Sequence, residues 1–308
     1  MRRRIEVWAF LAFVLIARGA WAAEPAPKVV VSLKPIHALA AAIMENVADP
    51  VLIVQGASSE HAYALRPSQA AALADADLVV WVGPVMEDYL VRPLQSLPSH
   101  AKILTLIDLP RLTRLAYRRG GPFEPDTDKP ATAGKPQQYD GHIWLDLTNA
   151  EVIAAAIRDA LCAQDPPRAP IYRANWTKLD AQLRDLGNKL RATLAPLRGR
   201  PIIVFHDAYQ YLEARYGLSV VGSVTVNPEI AVSAQRVEEI RARIMALGTV
   251  CVFAEPQFEP KLVDTLIEGT RARRGVLDPL GAALPPGPAA YGMLMRNLAE
   301  GLRSCLAG

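Results

Sequence analysis

The stretch that decides the fold is PIYRANWTKLDAQLRDLGNKLRATL (170–194), which carries Trp176, Leu179, Leu183, Leu186 and Leu190 at spacings of three, four, three and four. That spacing keeps one apolar stripe on one face, so the segment is expected to be a single amphipathic helix of about 25 residues, roughly 37 Å long at 1.5 Å per residue. On its N-terminal side, short β-branched runs alternate with helical stretches: VVVSLKP (29–35), HALAAAIMENV (37–47), VLIVQG (51–56), a helix from Gln69 to Ala76, LVVWVGP (78–84), a helix from Met86 to Leu97, and AKILTLID (101–108). HIWLDLT (142–148) reads as a further strand-like run, with Thr148 or Asn149 capping a helix that begins at Ala150. On the C-terminal side the alternation resumes with IIVFHDA (202–208), a helix through Tyr209 to Tyr216, LSVVGSV (218–224), a helix from Ala234 to Leu247, VCVFAEP (250–256), a helix from Lys261 to Glu268, RGVLDPL (274–280) and a terminal helix from Ala290 to Leu306.

Apolar runs alternating with helices build mostly parallel sheets covered on both faces. The predicted fold is therefore α/β, with two lobes, each a mostly parallel sheet flanked by helices, joined by one long backbone helix. The expected boundaries are a lobe at 23–166, a linking helix at 167–196 and a lobe at 197–308. No sequence repeat links the two halves beyond this pattern. Residues 119–141, rich in Pro, Gly and charge and lacking periodicity, are expected to form a long mobile loop.

The first 22 residues have the form of a signal peptide: Arg2-Arg3-Arg4, the apolar stretch Trp8 to Ile16, then Ala20-Trp21-Ala22. The apolar stretch is shorter than the roughly 20 residues that span a bilayer, and no cysteine lies near the cleavage point to carry a lipid, so a free periplasmic protein is expected. Of the 34 basic and 31 acidic residues, four arginines and one glutamate lie in the leader, which leaves 30 of each. A balanced surface offers no footprint for nucleic acid or anionic membrane. The expected mature form is a monomer. An odd cysteine count in an oxidising compartment implies one pair and one remaining thiol. Cys251 opens a strand-like run and Cys305 lies in the last helix, so those two are expected to be bridged, leaving Cys162 as a small buried hydrophobe.

Only five histidines occur, and three of them follow or interrupt strand-like runs: His61 after VLIVQGASSE, His142 in GHIWLDL and His206 after IIVF. Asp278 ends RGVLD in the same way. Strand ends are where an α/β protein gathers residues from distant parts of the chain into one crevice. Three imidazoles and one carboxylate match the donor set and tetrahedral geometry that Zn²⁺ accepts. Asp278 taken alone reads as a turn opener before Pro279, and a single histidine at a strand end reads as a hydrogen-bonded loop residue. His100 reads as solvated, and Trp81 and Trp144 as core.

The blocks SLKPIHALAAAIMENV, GASSEHAYALRPSQAAALADADLVVWVGPVMEDYL, HIWLDLTNA, FHDAYQYLEARYGL, TVNPEI, FAEPQF and LDPLG together resemble the zinc-specific periplasmic substrate-binding proteins of bacterial ABC importers. The likeness runs over nearly the whole mature chain. It implies two α/β lobes joined by one long helix with the metal between them, ligands at His61, His142 and His206, and Asp278 as a fourth ligand or a close neighbour. Glu60 is the alternative fourth ligand. His37 and Glu255 are expected to support the ligands from behind, Glu255 by accepting a hydrogen bond from a ligand imidazole. One departure is that the acidic loop before His142 holds no histidine.

The resemblance implies delivery of Zn²⁺ as cargo to a membrane permease. The related manganese receptors place a carboxylate where His206 stands, and imidazole-rich sites suit Zn²⁺ better than Mn²⁺. A periplasmic zinc chaperone would need the same reversible site. A zinc hydrolase with Glu60 as general base is the competing class, but a fourth protein ligand closes the coordination sphere against an activated water. No HExxH helix, nucleophile elbow or Gly-rich phosphate loop occurs. The chain is thus expected not to be an enzyme.

Overall fold

The computed structural model describes residues 25–97, 100–118, 139–225, 228, 231–248, 250–259 and 261–307. The signal peptide at 1–22 and most of the expected mobile loop, 119–138, lie outside the described residues.

The first lobe contains β1 (Val29–Val31), α1 (Lys34–Ile43), β2 (Val51–Leu52), α2 (Pro67–Ala74), β3 (Leu78–Trp81), α3 (Asp88–Ser96), β4 (Lys102–Thr105) and α4 (Leu147–Gln164). The long helix α5 (Ala169–Leu194) follows. The second lobe contains β5 (Pro201–His206), α6 (Gln210–Tyr216), β6 (Ser219–Thr225), α7 (Ala234–Leu247), β7 (Cys251–Ala254), α8 (Lys261–Ile267), β8 (Arg273–Val276) and α9 (Ala290–Ala307). Every strand pairing within the sheets is parallel. The strand orders are β2-β1-β3-β4 and β6-β5-β7-β8, so the two lobes repeat one topology although their sequences show no repeat.

Helix α5 is 26 residues long, with Pro170 at its first turn, where a missing N–H costs nothing. Leu179, Leu183, Leu186, Leu190 and Leu194 are buried along one face. Trp176 is only partly buried, and its ring lies 4.3 Å from the guanidinium carbon of Arg158 on α4. The apolar cluster under this stripe is continuous from Val29 and Ile36 through Ile153 to Val204, Leu294 and Leu302, so α5 ties both lobes to one core. A second cluster (Ile203, Phe205, Ile240, Ile244, Val252, Val263, Leu266) fills the other face of the second sheet beneath α7 and α8.

Two readings of the sequence need correction. HIWLDLT is not a strand: Ile143–Leu145 form one turn of 3₁₀ helix that runs straight into α4. A fully buried apolar run of this length does not reveal its period, and here the Asp146 side chain accepts the Thr148 N–H at 2.6 Å, which starts the helix at Leu147 and makes Asp146 the cap in place of Thr148 or Asn149. Residues 139–141, placed in the mobile loop, are ordered: Tyr139 bridges to Ala116, and Asp140 is buried.

The Cys251–Cys305 disulfide is present and links β7 to α9, with Cα atoms 6.1 Å apart. Cys162 is free and only partly buried, its Sγ 3.7 Å from the Ala169 carbonyl, so it is more open than a core hydrophobe. Helix α9 reaches β8 through Gly301, where a Cβ would lie 2.7 Å from the Val276 carbonyl oxygen.

Candidate metal centre

Three loops converge between the lobes. The segment after β2 brings Glu60 and His61, the turn before α4 brings His142, and the last residue of β5 is His206. Glu60, His142 and His206 are buried, while the His61 side chain keeps 22% of its surface exposed and forms the open side. One donor atom from each of the four residues lies within 4.8 Å of all the others. The Nε2 atoms of His142 and His206 are 3.2 Å apart. Glu60 Oε1 lies 3.5 Å from His142 Nε2, 3.7 Å from His206 Nε2 and 3.9 Å from His61 Nε2. A tetrahedral ion with bonds of about 2.0–2.2 Å has ligand-to-ligand edges of about 3.3–3.6 Å. Glu60 Oε1 and the Nε2 atoms of His142 and His206 are thus spaced as such an ion requires, to within about 0.1 Å, with His61 Nε2 slightly farther from the carboxylate at 3.9 Å.

Hydrogen-bond accounting supports the same set. Buried polar atoms are nearly always paired, yet both Glu60 carboxylate oxygens and His61 Nε2 are buried with no hydrogen-bond partner. Two of these orphans, Glu60 Oε1 and His61 Nε2, belong to the cluster 3.9 Å apart, and a cation there would satisfy both.

The rings are aimed from behind by carboxylates. His142 Nδ1 donates to Asp140 Oδ1 at 2.8 Å, and the same oxygen accepts the His142 backbone N–H at 2.9 Å. His206 Nδ1 donates to Glu255 Oε2 at 2.6 Å, and Tyr209 Oη donates to Glu255 Oε1 at 3.2 Å. A carboxylate on Nδ1 fixes the tautomer that leaves Nε2 as the lone-pair donor and raises its basicity. Glu255 was among the candidates named from the sequence. Asp140 and Tyr209 were missed; the signal for Asp140 is an acid two residues before a candidate histidine, close enough in sequence to return onto its ring.

Charge balance follows from this packing. Burial opposes the charge on His142, but Asp140 and Glu60 outweigh it and push the ring up to about 10. Burial likewise opposes His206, and Glu255 and Glu60 raise it. Burial, joined by the rings of His142 and His206, brings His61 down to about 3 against the pull of Glu60. Burial would raise Glu60, yet the three imidazoles hold it at about 2. The metal-free site thus keeps Glu60 ionised beside protonated imidazole.

Two expected site residues are not brought into the cluster. Asp278 Oδ1 accepts the N–H groups of Leu280 and Gly281 at 3.1 and 2.8 Å and the Gln257 amide at 2.8 Å, while Oδ2 accepts the Ala282 N–H at 2.6 Å. Both oxygens are spent on turning the chain, the role that an Asp before Pro suggests; the carboxylate that lies among the three imidazoles is that of Glu60. His37 does not back a ligand: its Nε2 donates to the Pro50 carbonyl at 2.9 Å.

Residues 29–305 match the family described as ZnuA, zinc-uptake complex component A, periplasmic. The chain belongs to this family. Among ZnuA relatives, the high-affinity zinc uptake system protein ZnuA of Brucella suis is 43% identical over 305 residues, spanning 91% of each chain. The protein of the same name from Yersinia pestis is 36% identical over 289 residues, 90% of this chain and 91% of that one. A crystal structure of ZnuA superposes with a TM-score of 0.76 at 24% identity over 91% of this chain and 99% of the other. The periplasmic zinc binding protein TroA from Treponema pallidum gives 0.77 at 20% identity, over 91% and 99%. These structural likenesses speak for the two-lobed fold with its long central helix.

Proposed function

We propose that this chain is a periplasmic receptor that binds Zn²⁺ through His61, His142, His206 and Glu60 and delivers it, as a monomer, to the permease of an ABC importer. Residues 1–22 would direct export and then be cleaved, leaving lobes at 23–166 and 197–308 on the linking segment 167–196. The observation that carries the reading is the meeting of three imidazole Nε2 atoms with the unpartnered, fully buried carboxylate of Glu60 at tetrahedral-edge distances. Three nitrogens and one oxygen favour Zn²⁺ over Mn²⁺, which prefers oxygen-rich sites.

The geometry also bears on the hydrolase alternative. A general base must stand beside a metal-bound water, whereas in the proposed set Glu60 Oε1, 3.5 Å from His142 Nε2, would itself be the fourth donor, which suits holding and not hydrolysis. Elemental analysis of protein isolated from the periplasm, alongside His206→Ala, tests the reading. One zinc per chain in the parent and loss of it in the variant supports it; equal zinc in both, or none in either, refutes it.

A further inference from the structure

The displaced candidate, Asp278, sits at a junction between the two lobes. Its carboxylate holds the N–H groups of residues 280–282, and Lys34 at the start of α1 in the first lobe donates its Nζ to the carbonyls of Gly281, Ala282 and Leu284 at 2.8, 2.7 and 3.0 Å. Lys34 is buried, and all three of its donors are used on this one segment. Trp144, two residues after His142, donates its indole N–H to the Pro279 carbonyl at 2.8 Å. On the other side, Asp278 is bonded to Gln257, which belongs to the same turn as Glu255 and Phe258. Glu255 holds His206 by Nδ1, and the Phe258 ring lies 5.9 Å from the His206 ring.

We infer that Asp278 is a positioning residue for the metal centre. It shapes the 279–284 segment into the piece on which Lys34 and Trp144 of the first lobe and the Glu255–Phe258 turn of the second lobe both register, and so sets how closely His142 and His206 approach. This inference rests on the zinc reading above. It assigns Asp278 an effect on affinity with no bond to the ion.

The test compares Asp278→Ala, Asp278→Asn and Lys34→Met with the parent protein and with Glu60→Gln. Zinc affinity is read by competition with a chromophoric chelator, the coordination sphere by the visible d–d bands of the Co²⁺ form, and the junction itself by amide hydrogen exchange of the metal-free protein. Asp278→Ala should weaken zinc binding by about 10- to 100-fold, as loss of groups that orient ligands does. Asp278→Asn, which keeps one acceptor oxygen and turns an amide toward the Ala282 N–H, should fall between. The Co²⁺ bands of Asp278→Ala should superimpose on the parent's while those of Glu60→Gln shift, and exchange at residues 280–284 should quicken in both Asp278→Ala and Lys34→Met.

Affinity within twofold of the parent in Asp278→Ala, or a change in its Co²⁺ bands, overturns the inference. So does unaltered exchange at 280–284. Should the parent itself fail to take up zinc, the functional reading falls on that result, while the exchange measurement still decides whether Asp278 and Lys34 make the junction.

Discussion

His142 Nε2 and His206 Nε2, one from each lobe, face each other across 3.2 Å, while their Nδ1 atoms are held by Asp140 and Glu255 on opposite outer sides. With both Nδ1 hydrogens committed to carboxylates, the inner pair either shares a proton or points two lone pairs at one ion. A cation competes with that proton for the same place.

Zinc uptake should therefore release protons. With His142 pushed up to about 10 and His206 also raised, the metal-free protein at neutral pH holds at least one proton that the loaded protein cannot hold. The sign follows: affinity rises with pH up to about 10 and falls as pH drops, by about tenfold per unit for each proton displaced. Titration calorimetry in buffers of different ionisation enthalpy at pH 7 should give a net release between one and two protons. A value of zero would contradict the charge balance at this site.

Removing a donor should cost more than removing its support. His206→Ala should lower zinc affinity on the order of 100-fold or more, since it opens the coordination sphere. Chelator competition checks this, with His100→Ala, a surface histidine beside Asp77, as the unaffected comparison.

Asp140→Asn and Glu255→Gln keep the size of the side chain but leave a neutral partner on Nδ1. Each should weaken zinc binding by about 10- to 100-fold without removing a donor. Their pH profiles should differ from the parent's, because the carboxylate that raises each imidazole is gone.

Zinc should also stabilise the fold. At a free concentration about a thousandfold above Kd, ligand linkage adds about 4 kcal/mol, and for a chain of this size that is about 8–16 °C in Tm. Differential scanning calorimetry with zinc and with a chelator should show the difference, and His206→Ala should abolish it.

Leu186→Ala on α5 should destabilise by about 2–5 kcal/mol, because the side chain is buried in the cluster that both lobes share. Urea unfolding monitored by circular dichroism measures it. Met245→Ala, on an exposed face of α7, should change stability by less than about 0.5 kcal/mol.

The long helix, the alternating elements on either side of it and the three histidines were legible because each rests on a pattern confined to one stretch of chain. The spacing of Leu179 to Leu190 needs no tertiary information, and neither does a histidine that ends a β-branched run. Glu60 and Asp278 were harder to rank, since both are acids beside a strand end. What separates them is where the chain turns afterwards: Asp278 is followed by Pro279 and bends the backbone around its own carboxylate, while Glu60 enters the buried interior with nothing to bond. HIWLDLT was misread because a run buried on all sides has no visible period. Asp140 was hidden inside a segment whose composition looked uniformly loose, although its last residues pack against Tyr211 and His142.

The continuous leucine face of α5 limits how cargo can leave. A spine packed into both halves resists a wide jaw-like swing, so dissociation has to begin with one donor giving way. Among the four, His61 alone is partly exposed, rides on a long connection between β2 and α2, and has no carboxylate bracing its Nδ1 among the described residues. On the proposed ligand set, the ion would leave past a single imidazole on a loop, a connection fastened where Tyr63 accepts from Gln69 at 2.9 Å.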